Sequence, residues 1–175
     1  MNDVPWLRSG TGSTPVDGGC IMQVIDWIDR NKWSDSPPCV HPVLRALAIR
    51  ANDTLGDGER QRLLDLAPRL MGTASDDRVL AVRLAAWCAR QVLPVYETAY
   101  PNDNRPRRAI EAAEAWADCP CHKHAANAAD ANAAADATNA PMDLLLGCLD
   151  EYDSLTGRTQ APQIDWTPVV GAMQA

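Results

Sequence analysis

Sixteen consecutive residues, Ala125 to Ala140, hold ten alanines and no large side chain. Alanine loses no side-chain entropy in a helix and is the best intrinsic helix former, so the tract predicts a helix despite its asparagines. Ala126, Ala129, Ala133, Ala137 and Ala140 recur at i, i+3, i+4 spacing and make an all-alanine face, while Asn127, Asp130, Asp136 and Asn139 fall largely elsewhere. Such a face lets a second helix approach toward the close end of the usual range of about 8–10 Å. Two mates fit it. The preceding helix around Trp116 is nearly as alanine-rich and favours an intramolecular seam. The alternative makes Ala126, Ala129, Ala133 and Ala137 a surface for a separate polypeptide.

The same alanines inflate the apolar share of 46%, and phenylalanine is absent. Large core residues are therefore few. The six tryptophans, Trp6, Trp27, Trp33, Trp87, Trp116 and Trp166, are expected to carry much of the packing, since one buried aromatic covers about 150–250 Å². A chain of 175 residues suffices for one domain with its own core.

Apolar spacing and proline and glycine breaks divide the chain into helices. Residues 1–18 are rich in Gly, Ser, Thr and Pro and predict an irregular arm. A first helix begins near Gly19, with Ile21, Val24, Ile25 and Ile28 on one face, and is broken by Trp33-Ser-Asp-Ser-Pro-Pro. A second opens at Pro42 and ends near Leu55-Gly56. A third runs from about Asp57 to Gly72 with a kink at Pro68. A fourth and longest spans about Asp76 to Ala99, bent by Pro94. Asn104 is expected to cap a fifth, with Pro106 in its first turn and Ala109, Ile110, Ala113, Trp116 and Ala117 as its buried stripe. The alanine tract is the sixth, and Pro141 to Leu155, closed by Gly157, the seventh. No strand pattern appears. The expectation is an all-α irregular bundle of about seven helices with an alanine-rich close-packed pair. A single helical domain over 19–157 would lie between an arm at 1–18 and a tail at 158–175.

The net charge of −7 argues against a phosphate backbone as main partner, because that binding needs clustered Lys and Arg. The densest basic run, Arg105-Pro106-Arg107-Arg108, is short and followed by Glu111 and Glu114. No apolar run approaches the ~18–20 residues of a membrane span, and the N-terminus has no signal-peptide pattern. A cytoplasmic location with reduced thiols is expected.

Cys119-Pro120-Cys121-His122-Lys123-His124 concentrates thiols and imidazoles just before the alanine tract. Zinc takes four such ligands in a tetrahedron, so Cys119, Cys121, His122 and His124 form a candidate zinc set. Their spacing is tight. Zinc modules leave two to four residues between cysteines, whereas here both cysteines and both histidines are two apart. A hinge that ends one helix and starts the next explains the stretch with less strain, so no cofactor is expected; the alternative is a small zinc-binding protein that uses these four ligands. Cys20, Cys39 and His41 fit no module, and Cys88 and Cys148 on apolar faces read as small hydrophobes. Ser9-Gly10-Thr11-Gly12-Ser13-Thr14 has the composition of a phosphate-cradling loop but lacks its lysine ending and follows no strand. Asp150-Glu151-Tyr152-Asp153 reads as solvating charge. No nucleophile is paired with a base at recognisable spacing, so a non-catalytic protein is expected. Trp33, Ser34 and Asp35 lie in a proline-bounded loop, where the indole either anchors a partner or plugs the bundle.

Several phrases resemble known sequences. Gly18-Gly19-Cys20-Ile21-Met22, Trp33-Ser34-Asp35 with Cys39-Val40, and Arg69-Leu70-Met71-Gly72-Thr73 resemble a helical region of uncharacterised actinobacterial and actinobacteriophage proteins. Arg105 to Trp116 with an alanine-rich helix is similar to the helical pattern of bacterial immunity proteins. Asp150 to Arg158 looks like the usual ending of such phage proteins. The resemblance implies action by protein–protein contact, with a toxin or host factor as partner. The Cys-Pro-Cys-His-Lys-His insertion is not part of that pattern.

Overall fold

A computed structural model describes residues 5–120 and 141–174. Among them the regular elements are all helical: α1 (Ile21–Arg30), α2 (Pro42–Thr54), α3 (Asp57–Arg60), α4 (Ala67–Leu70), α5 (Arg78–Ala99), α6 (Arg105–Asp118), α7 (Pro141–Thr156) and α8 (Thr167–Gln174), with 3-10 turns at Pro15–Asp17 and Gln61–Leu66. The all-α expectation holds. Contacts group the chain into two compact units, one of Met1–Ser75 with Arg158–Ala175 and one of Asp76–Gly157. The alanine tract, and with it the close-packed pair expected with the Trp116 helix, lies outside the described residues.

In the first unit the core is aliphatic: Leu7, Ile21, Met22, Ile25, Leu44, Leu47, Leu63 and Leu70 are all fully or almost fully buried. Leu7 comes from the expected arm, which is irregular but closely held. Its amide donates to Gln61 Oε1 at 2.9 Å, and the Arg8 amide donates to the Gly19 carbonyl at 3.0 Å. Asn52, fully buried on α2, takes the Ile21 amide on Oδ1 at 3.2 Å and donates Nδ2 to the Arg8 carbonyl at 2.8 Å. One amide side chain thus fastens the N-terminal segment and α1 to α2.

The expected third helix is three pieces rather than one kinked rod. Pro68 has no N–H to give the Leu64 carbonyl, so the regular i to i−4 ladder cannot pass that point. The chain tightens into the 3-10 turn Gln61–Leu66 before α4 resumes. Arg60, 5% exposed, covers the end of α2 by donating Nε to the Asn52 carbonyl at 2.6 Å and Nη2 to the Leu55 carbonyl.

The C-terminal residues expected to be a tail form α8. Asp165 Oδ1 accepts from the Thr167 amide at 2.9 Å, and Pro168 sits in the first turn where its missing donor costs nothing. This helix packs on α1 and on the Pro15–Asp17 turn through the buried Val169. Arg158 donates to the carbonyls of Arg69 at 2.5 Å and Met71 at 3.3 Å, where α4 ends.

The tryptophans do not carry the core. All six are half-buried or exposed, Trp6 the most exposed at 54%. The largest fully buried side chains are instead Leu, Ile, Met and His41. Indole is amphipathic: its N–H needs an acceptor, which keeps the ring at the boundary.

In the second unit Asp77 caps α5, its Oδ1 accepting from the Val79 amide at 2.8 Å and the Leu80 amide at 3.3 Å. α6 is capped by Asp103, which accepts the Arg105 amide at 3.0 Å, and not by Asn104, whose side chain makes no cap bond. Ile110, Ala113 and Ala117 are buried as expected, whereas Ala109 is exposed and Trp116 half-buried. α5 also corrects the expectation on apolar runs. By length and composition it could cross a membrane, because its valines and leucines give an 18-residue window a mean hydropathy of 1.2. Within the unit its sides are taken by α6 and α7.

Candidate functional site

α5 and α6 pack along a small-residue seam, Val82, Ala86 and Leu93 against Ile110, Ala113 and Ala117. The spacing 82, 86, 93 on one helix and 110, 113, 117 on the other is the i, i+3, i+4, i+7 stripe of a helix pair. Charged residues flank this seam at intervals of seven on α5. Arg83 meets Asp118 at 3.2 Å. Arg90 meets Glu114 through two contacts, Nε to Oε1 at 3.1 Å and Nη2 to Oε2 at 2.5 Å. Glu97 meets Arg107 through two contacts of 2.7 Å. The sign reverses at the last rung, so a slipped register sets like charges against each other.

A cleft of about 350 Å³ opens where α7 joins this pair, lined by Arg83, Trp87, Arg90, Glu114, Asp118, Glu151 and Leu155 together with Ala86 and Ala117. This lies at the low end of ligand-site volumes. Arg83 and Arg90 are both already engaged with carboxylates on α6. Half-buried Glu151 forms no ion pair among the described residues. Leu155, 36% exposed, is one of the few large apolar side chains open to solvent.

Trp87 is held by its seat on Gly147. A Cβ built at Gly147 would lie 2.6 Å from Cη2 and 3.3 Å from Cζ2 of the indole, closer than real carbon contacts allow. One residue along each helix, fully buried Cys88 and Cys148 place their sulfurs 3.5 Å apart. The Cys88 thiol beside it, with burial, pushes the Cys148 thiol far above its ordinary value. Both are free cysteines buried in the packing between α5 and α7.

The sequence-derived candidates are scattered. Of the zinc set, Cys119 is exposed and ends α6, its amide donating to the Ala115 carbonyl at 3.2 Å. Cys121, His122 and His124 lie outside the described residues, as do Ala126, Ala129, Ala133 and Ala137. Among the described residues no group of three Cys, His, Asp or Glu side chains could hold a metal.

Trp33, Ser34 and Asp35 lie in the first unit. The Trp33 indole donates to the Gly12 carbonyl at 3.0 Å and meets Trp27 edge-on, centroids 6.2 Å apart. The Ser34 amide donates to fully buried Asp26 at 3.0 Å, and Asp35 is exposed. In the Ser9–Thr14 stretch, the Gly10 and Gly12 amides are taken by Asp53 and Gln23.

Trp87, Arg83, Arg90 and Glu151 escaped sequence reasoning as site residues. A signal existed: residues 83, 90 and 97 are seven apart, with opposite charges waiting at 118, 114 and 107.

No curated protein and no solved structure matches the chain. Residues 72–145, which contain all of α5 and α6, match the family of Imm-5 like putative immunity proteins, and over that stretch the chain is immunity-protein-like.

Proposed function

We propose that the chain is a non-catalytic protein that binds and neutralises a protein partner, a toxin or host factor, in the cytoplasm of an actinobacterium or of one infected by a phage. The observation that supports this most is the immunity-protein likeness of residues 72–145, which falls on the α5–α6 hairpin that walls the cleft. Immunity proteins act by occupying a partner, so the chemistry required is surface complementarity and not a reacting group. A rigid indole in a concave seat rimmed by charge is the kind of feature around which contact energy concentrates.

The test is capture of the partner with the full chain, then reconstitution from purified components. A complex of fixed stoichiometry that relieves the partner's toxicity or blocks its activity is the expected result. Turnover of a substrate by the purified chain, or no partner of fixed stoichiometry, sinks the reading.

A further inference from the structure

The two units differ in charge. Between Asp76 and Gly157 there are thirteen Asp and Glu against seven Lys and Arg, so this unit carries six of the seven net negative charges. α7 contributes Asp143, Asp150, Glu151 and Asp153 and no basic residue. Inside the cleft the two arginines are already paired with Asp118 and Glu114, which leaves the Glu151 carboxylate without a cation among the described residues. Lining the same cleft are the indole of Trp87, braced by Gly147, and the exposed side chain of Leu155.

These surroundings define an occupant. A carboxylate half withdrawn from water favours a cation, and its field is less screened in a concavity than on an open helix. Indole attracts a cation to its ring face, more strongly when water is excluded. Trp87 and Leu155 would also cover the alkyl stem of a long side chain. We propose that the cleft is the seat for an arginine or lysine side chain of the partner protein, its stem on Trp87 and Leu155 and its charge against Glu151. The inference rests on the partner-binding reading and specifies the partner's chemistry: a basic residue flanked by apolar ones.

The probe is a blocked pentapeptide, Gly-Leu-Arg-Leu-Gly, titrated calorimetrically into the full chain at low ionic strength. Glu151→Gln should weaken binding at least fivefold and Trp87→Phe twofold to fivefold. Asp143→Asn, which removes the same charge from an exposed position on α7 outside the cleft, should change it by less than twofold. Should Trp87→Phe fail to fold, the comparison of Glu151→Gln with Asp143→Asn decides alone.

Equal losses from Glu151→Gln and Asp143→Asn would mean diffuse attraction and overturn the proposal. So would absence of binding, spermidine binding more tightly than the peptide, or self-association of the chain that the peptide disrupts. The captured partner separates the two readings. Undiminished capture by Glu151→Gln removes the cleft and leaves partner binding standing; no partner for either chain removes the partner-binding reading itself.

Discussion

Arg90 on α5 and Glu114 on α6 form a two-point ion pair at the centre of a rank of three, between Arg83–Asp118 and Glu97–Arg107. The fork of the guanidinium matches the carboxylate, which gives directional register as well as attraction. Both partners are partly open to solvent, 33% and 42% exposed, so water screens much of the energy. A double-mutant cycle with Arg90→Ala and Glu114→Ala should give a coupling of about 0.5–1 kcal/mol, falling as salt is raised. Charge reversal at both positions should restore most of it. A coupling that is absent at low salt would show that the aliphatic seam alone sets the register.

Asn52 carries a larger share for its size. Removing its amide leaves the Ile21 N–H and the Arg8 carbonyl without partners in a buried place. Asn52→Ala should therefore cost about 2–4 kcal/mol, since each stranded group costs about 1–3 kcal/mol. Asn52→Asp should cost at least as much at neutral pH, because a buried carboxylate would face the Arg8 carbonyl and the Asp53 carboxylate with no proton to donate. Urea denaturation measures both; an alanine variant within 0.5 kcal/mol of wild type, on the order of an ordinary surface change, defeats the account. The same burial closes the Asn52-Asp53-Thr54 sequon to modification in the folded chain.

His41 predicts a pH dependence. It is fully buried at the start of α2, and its Nδ1 accepts the Val43 amide at 3.2 Å, so the neutral ring is the one that caps the helix. Burial lowers its pKa from the ordinary 6.5, and the positive end of α2 acts in the same direction. Below pH 6.5 the unfolded chain takes up the proton first, so stability is complete above that value and falls as pH drops toward the depressed folded pKa. The urea midpoint should decline between pH 7.5 and 5.5. His41→Asn, which keeps a capping side chain, should flatten that slope and so separate His41 from His122 and His124. An unchanged slope in the variant would assign the dependence elsewhere.

Local chemistry made much of the fold legible. Pro42, Pro106 and Gly157 start or stop their helices where expected, because ring closure and positive φ act within one turn; Gly157 has φ 69°. The cap of α6 was not legible: the sequence points to Asn104, and the side chain that serves is Asp103, held by Arg105 and Tyr96, which both bind it. The cleft was not legible. Its walls stand at 83–90, 114–118 and 151–155, and only the packing of three helices brings them together. Glu151 looked like solvating charge because nothing near it in sequence shows that an indole more than sixty residues earlier shares its surroundings.

Gly147 tests how that indole is held. In a helix, glycine costs about 0.5–1 kcal/mol relative to alanine, so an open site would gain from Gly147→Ala. Here the added methyl carbon meets Cη2 of Trp87 at 2.6 Å and Cζ2 at 3.3 Å. The indole is rigid, so it must tilt as a whole, into the cleft or away from α7. Overpacking of this kind costs about 1–3 kcal/mol, which outweighs the propensity gain. Gly147→Ala should therefore lower the denaturation midpoint and shift the Trp87 emission, read as the difference between chains with and without Trp87→Phe. Phenylalanine lacks the outer ring that carries the clash, so Gly147→Ala with Trp87→Phe should recover stability relative to Gly147→Ala alone. A stabilised Gly147→Ala chain with unchanged emission would show that the indole is not seated on α7.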